Sequence, residues 1–155
     1  MKVRDLMTKD VVTAFKYDSI VSVAKKMKEF DIGMIVIVDD KKEVLGVVTD
    51  RDIVVRAVSI NAIDTFIEKI MTYDPVCIYP SEDITKAMEI MGEYQIKRLV
   101  VTDETKKIVG ILSLSDIARS HHTNKLVNET LYEISIPNPQ KEKPLKYLKV
   151  DDFRL

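Results

Sequence analysis

The chain repeats itself, and this internal repeat restricts its possible folds more than any other feature of the sequence. An offset of 64 residues aligns residues 3–56 with residues 67–120 without a gap. Many of the aligned pairs place an apolar residue on an apolar residue. Identical pairs include Met7 with Met71, Gly46 with Gly110, and Asp52 with Asp116. An ungapped match of this length indicates gene duplication, so both halves are expected to share one fold.

Each repeat gives the same order of secondary-structure signals. A short apolar strand is followed by a turn with N-cap residues, Asp18-Ser19 or Ser81-Glu82. An amphipathic helix, two almost entirely apolar strands and a second helix come next. The predicted strands are Val11–Ala14, Met34–Val38 and Val44–Thr49 in the first repeat, and Val76–Tyr79, Arg98–Thr102 and Ile108–Ser113 in the second. The sequence therefore predicts an α+β fold in which each repeat is β-α-β-β-α.

The domain organisation follows from the size of the repeat. One unit of about 55 residues buries too little apolar surface to be stable alone, so we expect the two repeats to pack around a pseudo-two-fold axis. The predicted domains are residues 1–60 for the first repeat and 61–120 for the second. Residues 121–155 have no counterpart in the first copy, and they are predicted to form a helical extension and an extended, proline-containing tail.

The composition of the chain restricts the classes of partner and the cellular compartment that we expect for it. The formal net charge is -1, so long-range attraction of nucleic acid or of an anionic membrane is not expected. No apolar run approaches the ~18 residues that a membrane-spanning helix needs. The single cysteine, Cys77, excludes a disulfide framework and favours a reducing cytoplasm. Cys77 stands in the apolar run "PVCIY", which favours a small buried thiol over a nucleophile.

One motif in each repeat has two interpretations. Thr49 and Asp52 have the spacing of a capping box at a helix start, and Ser113 and Asp116 repeat that spacing. The same geometry suits a nucleotide, because a strand that ends at a helix N-terminus attracts phosphate and an acidic residue can accept from both ribose hydroxyls. The two interpretations compete, since a carboxylate that folds back onto the cap is less available to a sugar.

These motifs also carry a family resemblance. The paired β-α-β-β-α repeats end in "GVVTDRDI" and "GILSLSDI", and they open with "DLMTKDVVTA" and "KIMTYDPVCI". In these features the chain resembles the tandem cystathionine β-synthase (CBS) domain pair, or Bateman module, of the stand-alone archaeal and bacterial type. The resemblance covers residues 1–120 and leaves the C-terminal segment outside.

The resemblance implies two clefts that bind adenosyl ligands such as AMP, ADP, ATP or S-adenosylmethionine. It would place Asp52 and Asp116 on ribose hydroxyls, and Thr49, Ser113 and Ser115 near phosphate. It would also place Thr13, Ala14, Cys77 and Ile78 near the purine. The basic pair Lys97 and Arg98 would contact phosphate or else be solvated strand ends, and Arg51 would face either phosphate or solvent.

Neither repeat contains a histidine, and adjacent His121 and His122 lack the spacing of a helical metal site. We therefore expect no enzyme, no metal and no cofactor beyond a regulatory ligand. The resemblance implies a homodimer through helices in segments 19–31, 50–58, 83–95 and 114–120, or action in trans on a separate protein. The alternative is a protein- or nucleic-acid-interaction module with vestigial clefts, and interleaved acidic residues make nucleic acid the weaker option.

Overall fold

The computed structural model describes residues 1–120 and 124–137. Two 3-10 turns, at Val58–Ile60 and Ile67–Lys69, accompany the helices and strands. In chain order these are α1 (Val3–Leu6), β1 (Thr13–Phe15), α2 (Ile20–Phe30), β2 (Met34–Val38), β3 (Val44–Thr49), α3 (Asp50–Arg56), β4 (Thr72–Tyr73), β5 (Cys77–Ile78), α4 (Ile84–Glu93), β6 (Arg98–Thr102), β7 (Ile108–Ser113), α5 (Leu114–Arg119) and α6 (Asn124–Ser135).

Two mixed sheets hold the strands, and the predicted α+β class with a β-α-β-β-α order in each repeat is confirmed. One sheet has the order β1-β2-β3-β4, and the other has the order β5-β6-β7. The first strand of each repeat runs parallel to the second, and the second runs antiparallel to the third. All five residues of β2 are buried, so the continuous apolar run of this strand is covered on both faces.

The first helix of each repeat begins with a side-chain cap. Ser19 caps α2, because its hydroxyl oxygen accepts from the amide of Ser22 at 3.1 Å. In the second repeat the cap is Asp83, whose carboxylate accepts from the amide of Thr85 at 3.0 Å. The predicted cap at Ser81-Glu82 is therefore wrong by at least one residue, because Ser81 and Asp83 are both favourable N-cap residues and only the turn geometry selects between them.

The chain forms two compact units, each of which combines one repeat with the N-terminal segment of the other. The first-repeat unit consists of residues 12–75. The second-repeat unit consists of residues 1–11 and the described part of 76–137. The start of each repeat in sequence, residues 1–11 or 65–75, thus packs on the sheet and helices of the other repeat.

Residues 1–11 and residues 65–75 are the two exchanged segments, and equivalent backbone hydrogen bonds attach them. In the second-repeat unit the amide of Val3 donates to the carbonyl oxygen of Glu82 at 2.9 Å. In the first-repeat unit the amide of Ile67 donates to the carbonyl oxygen of Asp18 at 2.8 Å, which is the same bond after the 64-residue offset. Val3 and Ile67 are both fully buried, so each exchanged segment contributes an apolar side chain to its core.

Helix α6 belongs to the second-repeat unit and packs on α4 and α5. A Cβ added at Gly92 would lie 3.5 Å from the Cβ of Glu133, so the two helices approach closely at this glycine. The Gln95 amide nitrogen donates to the carbonyl oxygens of Glu133 and Ile136, both at 3.0 Å, and so caps the C-terminal end of α6. The predicted helical extension is confirmed. The predicted tail and the His121-His122 pair lie outside the described residues.

Cys77 is exposed, so the prediction of a buried thiol is wrong. Strand β5 has only two residues, and successive residues of a strand face opposite sides. Ile78 takes the side that faces the core, and Cys77 therefore takes the other. Across the described part of the chain, none of the helices combines the length and the apolar character that a membrane span requires.

Candidate functional site

The duplicated Thr/Ser-x-x-Asp motif forms a capping box in both repeats, because β3 and β7 each run directly into a helix. In the first repeat the amide of Asp52 donates to the Thr49 hydroxyl oxygen at 3.1 Å, and the amide of Thr49 donates to Asp52 Oδ2 at 2.8 Å. In the second repeat the corresponding distances between Asp116 and Ser113 are 3.1 Å and 2.9 Å. The Ser113 hydroxyl also donates to Asp116 Oδ2 at 2.6 Å. The capping interpretation is confirmed.

Capping uses one carboxylate oxygen in each repeat and leaves the other to a different partner. A carboxylate oxygen has two lone-pair sites, so a capped aspartate keeps acceptor capacity. The second oxygen, Oδ1, faces an arginine in both copies, but the two arginines stand at different positions of the helix. Asp52 Oδ1 lies 3.4 Å from Arg56 Nη2, and Asp116 Oδ1 contacts Arg119 Nη2. Whether each carboxylate is available to a ligand therefore depends on its arginine.

Arg56 is fixed by several partners in the first-repeat unit. Its Nη1 donates to the carbonyl oxygen of Ile70 at 2.8 Å and to the Thr72 hydroxyl oxygen at 3.0 Å. Only 18% of its side chain is exposed. Burial lowers the pKa of the guanidinium, and the charge of Asp52 offsets part of that effect. Ile70 and Thr72 belong to the exchanged segment, so Arg56 joins the motif carboxylate to that segment.

Arg119 is placed differently in the second-repeat unit. Its side chain is 72% exposed, and its one side-chain partner within the described residues is Asp116. The residue that corresponds to Arg56 after the 64-residue offset is Ser120, whose hydroxyl donates to the carbonyl oxygen of Ile117 at 2.7 Å. The second repeat therefore has no equivalent of the fixed arginine.

The basic pair Lys97 and Arg98 lies at the same end of its sheet as the second motif. Arg98 is the register partner of Ser113 in the antiparallel pair β6 and β7. The carbonyl oxygen of Lys97 accepts from the amide of Leu114, the first residue of α5, at 2.9 Å. Both basic side chains are exposed. The structure thus brings Lys97, Arg98, Ser113 and Asp116 together within the second-repeat unit.

The first repeat has apolar or small residues where the second has this basic pair. Met34 is the register partner of Thr49, and the carbonyl oxygen of Gly33 accepts from the amide of Asp50 at 3.1 Å. Arg51 and Ser115, the second helical residues of α3 and α5, are both exposed beside their capping boxes. The basic pair therefore gives the second repeat positive charge beside its motif that the first repeat lacks at the corresponding positions.

The residues expected near a purine lie on the edge strands β1 and β5. Ala14 and Ile78 are 1% and 5% exposed and belong to the two cores, so these two residues offer a ligand only backbone atoms. The carbonyl oxygen of Thr13 accepts from Lys26 Nζ at 3.0 Å. The same ammonium lies 3.8 Å from Asp18 Oδ2.

Two residues that shape the candidate site, Arg56 and Lys26, were not identified from the sequence. Their counterparts after the offset are Ser120 and Ile90. A comparison of the repeats for basic residues present in only one copy would have found both, in the way that it drew attention to Lys97 and Arg98. Within residues 1–120 and 124–137, no group of three or more His, Cys, Asp or Glu side chains is arranged to hold a metal ion.

The chain is similar to proteins of known sequence and of known structure. A family model described as the CBS domain matches residues 3–59 and 67–122. The uncharacterized protein YlbB of Bacillus subtilis is 35% identical over 136 residues, which cover 86% of this chain and 91% of that protein.

Two solved structures show the same fold at a comparable level of identity. The CBS domain pair of protein MJ0100, in complex with 5'-methylthioadenosine and S-adenosyl-L-methionine, gives a TM-score of 0.73 at 30% identity and covers 81% of this chain and 98% of that one. An uncharacterized conserved protein from Pyrococcus horikoshii gives a TM-score of 0.72 at 29% identity, with coverage of 78% and 92%.

Proposed function

Because the chain belongs to the CBS domain family and carries two copies of its repeat, we propose that it is a regulatory module that senses an adenosyl ligand. The candidate ligands are AMP, ADP, ATP and S-adenosylmethionine. The complex of MJ0100 with two adenosyl compounds supports this ligand class, since that domain pair is 30% identical to this chain.

The observation that carries the proposal is the cluster of Asp116, Ser113, Lys97 and Arg98 in one unit. A carboxylate can accept hydrogen bonds from both vicinal hydroxyls of a ribose, as acidic residues do in dinucleotide-binding folds. An arginine forms bidentate bonds to the oxygens of a phosphate or of a carboxylate, and a lysine adds a point charge. An adenosyl compound with an anionic group presents both features at once. The proposed role of Asp116 is therefore to hold the ribose, and that of Arg98 is to hold the anionic end.

The remaining assignments extend this proposal. Thr49, Asp52, Arg51, Thr13 and Ala14 would form the corresponding contacts of the first repeat, and Ser115, Cys77 and Ile78 would complete those of the second. The module is proposed to act without catalysis, in the cytoplasm, as a homodimer or on a separate protein. Any dimer would use α2 and α3 more than α4 and α5, because α6 of the same chain already packs on α4 and α5.

Binding measurements test the proposal directly. Freshly purified protein is examined by native mass spectrometry for bound nucleotide, and AMP, ADP, ATP and S-adenosylmethionine are then titrated calorimetrically. We expect at least one to bind, and Asp116→Asn to weaken it by about tenfold or more, since it loses charge-assisted hydrogen bonds. Asp40→Asn, an exposed aspartate in the turn between β2 and β3, is the matched control and leaves the affinity unchanged. Absence of binding by all four compounds at millimolar concentration would refute the proposal and favour the interaction-module alternative.

A further inference from the structure

We propose that the two duplicated aspartates have separate roles: Arg56 holds Asp52 as part of the fold, and Asp116 alone is available to accept the vicinal hydroxyls of a ligand. This inference rests on the proposed function for its ligand class. It replaces the ribose contact assigned to Asp52 above: the chain has one competent diol site, at Asp116, and Arg56 is the residue that closes the other.

The first argument concerns how firmly each arginine is held. Two partners on the exchanged segment, the Ile70 carbonyl and the Thr72 hydroxyl, fix Nη1 of Arg56. A guanidinium is planar, so fixing one nitrogen restricts the others, and this holds Nη2 at 3.4 Å from Asp52 Oδ1. Arg119 has no comparable anchor among its described contacts, and its long exposed side chain can leave Asp116 at little cost.

The second argument concerns what a sugar would have to replace. Asp52 and Asp116 are covered to a similar extent, at 17% and 15% exposure, so burial of the carboxylates does not distinguish them. A neutral hydroxyl that displaced Arg56 from Asp52 would leave a largely buried guanidinium without its counter-charge, which is costly. The same displacement at Asp116 returns Arg119 to water. The diol is therefore expected to bind to Asp116.

The third argument is independent of the arginines. The carbonyl oxygen of Thr13, which was predicted to lie near the purine, already accepts from Lys26 Nζ. The counterpart of Lys26 in the second repeat is Ile90, whose side chain carries no donor. Thus the Thr13 carbonyl and the Asp52 carboxylate, both predicted to contact ligand in the first repeat, are occupied by Lys26 and Arg56 of the chain itself. Neither basic residue is present at the corresponding position of the second repeat.

Ligand-free protein tests the proposed role of Arg56. Double-mutant cycles in urea compare Asp52→Asn with Arg56→Gln, and Asp116→Asn with Arg119→Gln. We expect the first pair to be coupled by about tenfold or more in the unfolding equilibrium constant, and the second by less than about fivefold. Equal coupling in the two pairs overturns the inference. Should Arg56→Gln not fold, NMR of the wild-type protein decides: slow rotation of the Arg56 guanidinium and fast rotation of that of Arg119 support the inference, and fast rotation of both overturns it.

Ligand binding tests the division of roles, with AMP and 5'-methylthioadenosine as the probes. We expect one molecule per chain by native mass spectrometry, loss of about tenfold or more in affinity for Asp116→Asn, and little change for Asp52→Asn. Equal losses for the two variants, or two equivalent molecules per chain, overturn the inference and leave the proposed function intact. If neither the two probes nor the other adenosyl compounds bind, the proposed function fails, and the ligand-free measurements still decide whether Arg56 fixes Asp52.

Discussion

Arg98 stands directly across from Ser113 in the register of β6 and β7, whereas the first repeat pairs Met34 with Thr49 at the same position. A strand pair places the side chains of opposite residues on the same face of the sheet. Arg98 therefore emerges beside the residue that caps α5, and its charge belongs to the surroundings of Asp116. Sequence alone left open which of the two aspartates the basic pair accompanies.

Replacement of Arg98 by methionine gives the second repeat the residue of the first. We expect Arg98→Met to weaken AMP binding by about tenfold or more, because a charge-assisted hydrogen bond to phosphate is lost. Binding of 5'-methylthioadenosine, which has no phosphate, should change much less. Calorimetric titration of both compounds gives the loss of affinity for each, and the two losses are compared. Lys107→Met, at an exposed lysine in the turn between β6 and β7, controls for the general loss of positive charge, and an equal effect on both compounds would contradict the role of Arg98.

Gly46 lies where the exchanged segment crosses β3. A Cβ at this position would stand 2.6 Å from the carbonyl oxygen of Thr72, which is a backbone atom and cannot move without distorting β4. We expect Gly46→Ala to destabilise the protein by about 1–3 kcal/mol, measured as the free energy of unfolding in urea. Gly33→Ala is the control, since its nearest atom is the Asp50 carboxylate oxygen at 3.2 Å, which a side-chain rotation can move. Equal effects in the two variants would show that β4 yields to the added methyl group.

The exchange of N-terminal segments predicts reciprocal effects on hydrogen exchange. Ile67→Ala removes a fully buried side chain from the core of the first-repeat unit, at a cost of about 2–5 kcal/mol. Amide exchange should accelerate in β2 and β3 more than in β6 and β7. Val3→Ala should give the opposite pattern, because Val3 belongs to the core of the second-repeat unit. If amide exchange accelerated only in the repeat that carries each substitution in sequence, the result would contradict the reciprocal packing of the two N-terminal segments.

The hydrogen bonds of Asp103 indicate that the turn between β6 and β7 makes a pH-dependent contribution to the stability of the fold. The Thr105 hydroxyl, followed by backbone amides of Lys107 and Thr105, donates to its carboxylate and lowers its pKa below the ordinary value of 3.8. A carboxyl whose pKa is lower in the folded state stabilises the fold above its unfolded pKa, and this contribution is lost as the pH falls through the folded value. Thr105→Val should raise the pKa of Asp103 toward 3.8, as measured by NMR titration. An unchanged titration would exclude the hydroxyl as the main cause.

Much of the fold was predictable from the sequence, because strong apolar periodicity determines central strands. The predicted bounds of Met34–Val38, Val44–Thr49, Arg98–Thr102 and Ile108–Ser113 agree with the structure at every residue. The predicted bounds of the edge strands are less accurate: the sequence predicts Val11–Ala14, and the structure has Thr13–Phe15. An edge strand pairs on one side only, so its length depends on contacts with a neighbour rather than on its own pattern.

The candidate site was predictable where it is local and not where it depends on distant segments. The capping boxes at Thr49 and Ser113 involve residues three apart, and the motif alone predicted them. The anchors of Arg56 lie 14 and 16 residues away, on a segment whose docking on the first repeat has no local signal. The exposure of Cys77 likewise depends on which face of a two-residue strand meets the core.

The reciprocal placement of residues 1–11 and 65–75 bears on how this molecule originated. A single ancestral copy of 64 residues would lack a partner segment in its neighbouring repeat, so it would complete its fold by swapping N-terminal segments with a second chain. Such a swap is bimolecular, and its stability depends on protein concentration. Duplication and fusion would place both swapped segments in one polypeptide and make folding independent of concentration. Each copy would then be free to diverge, as Arg56 and Ser120 have done.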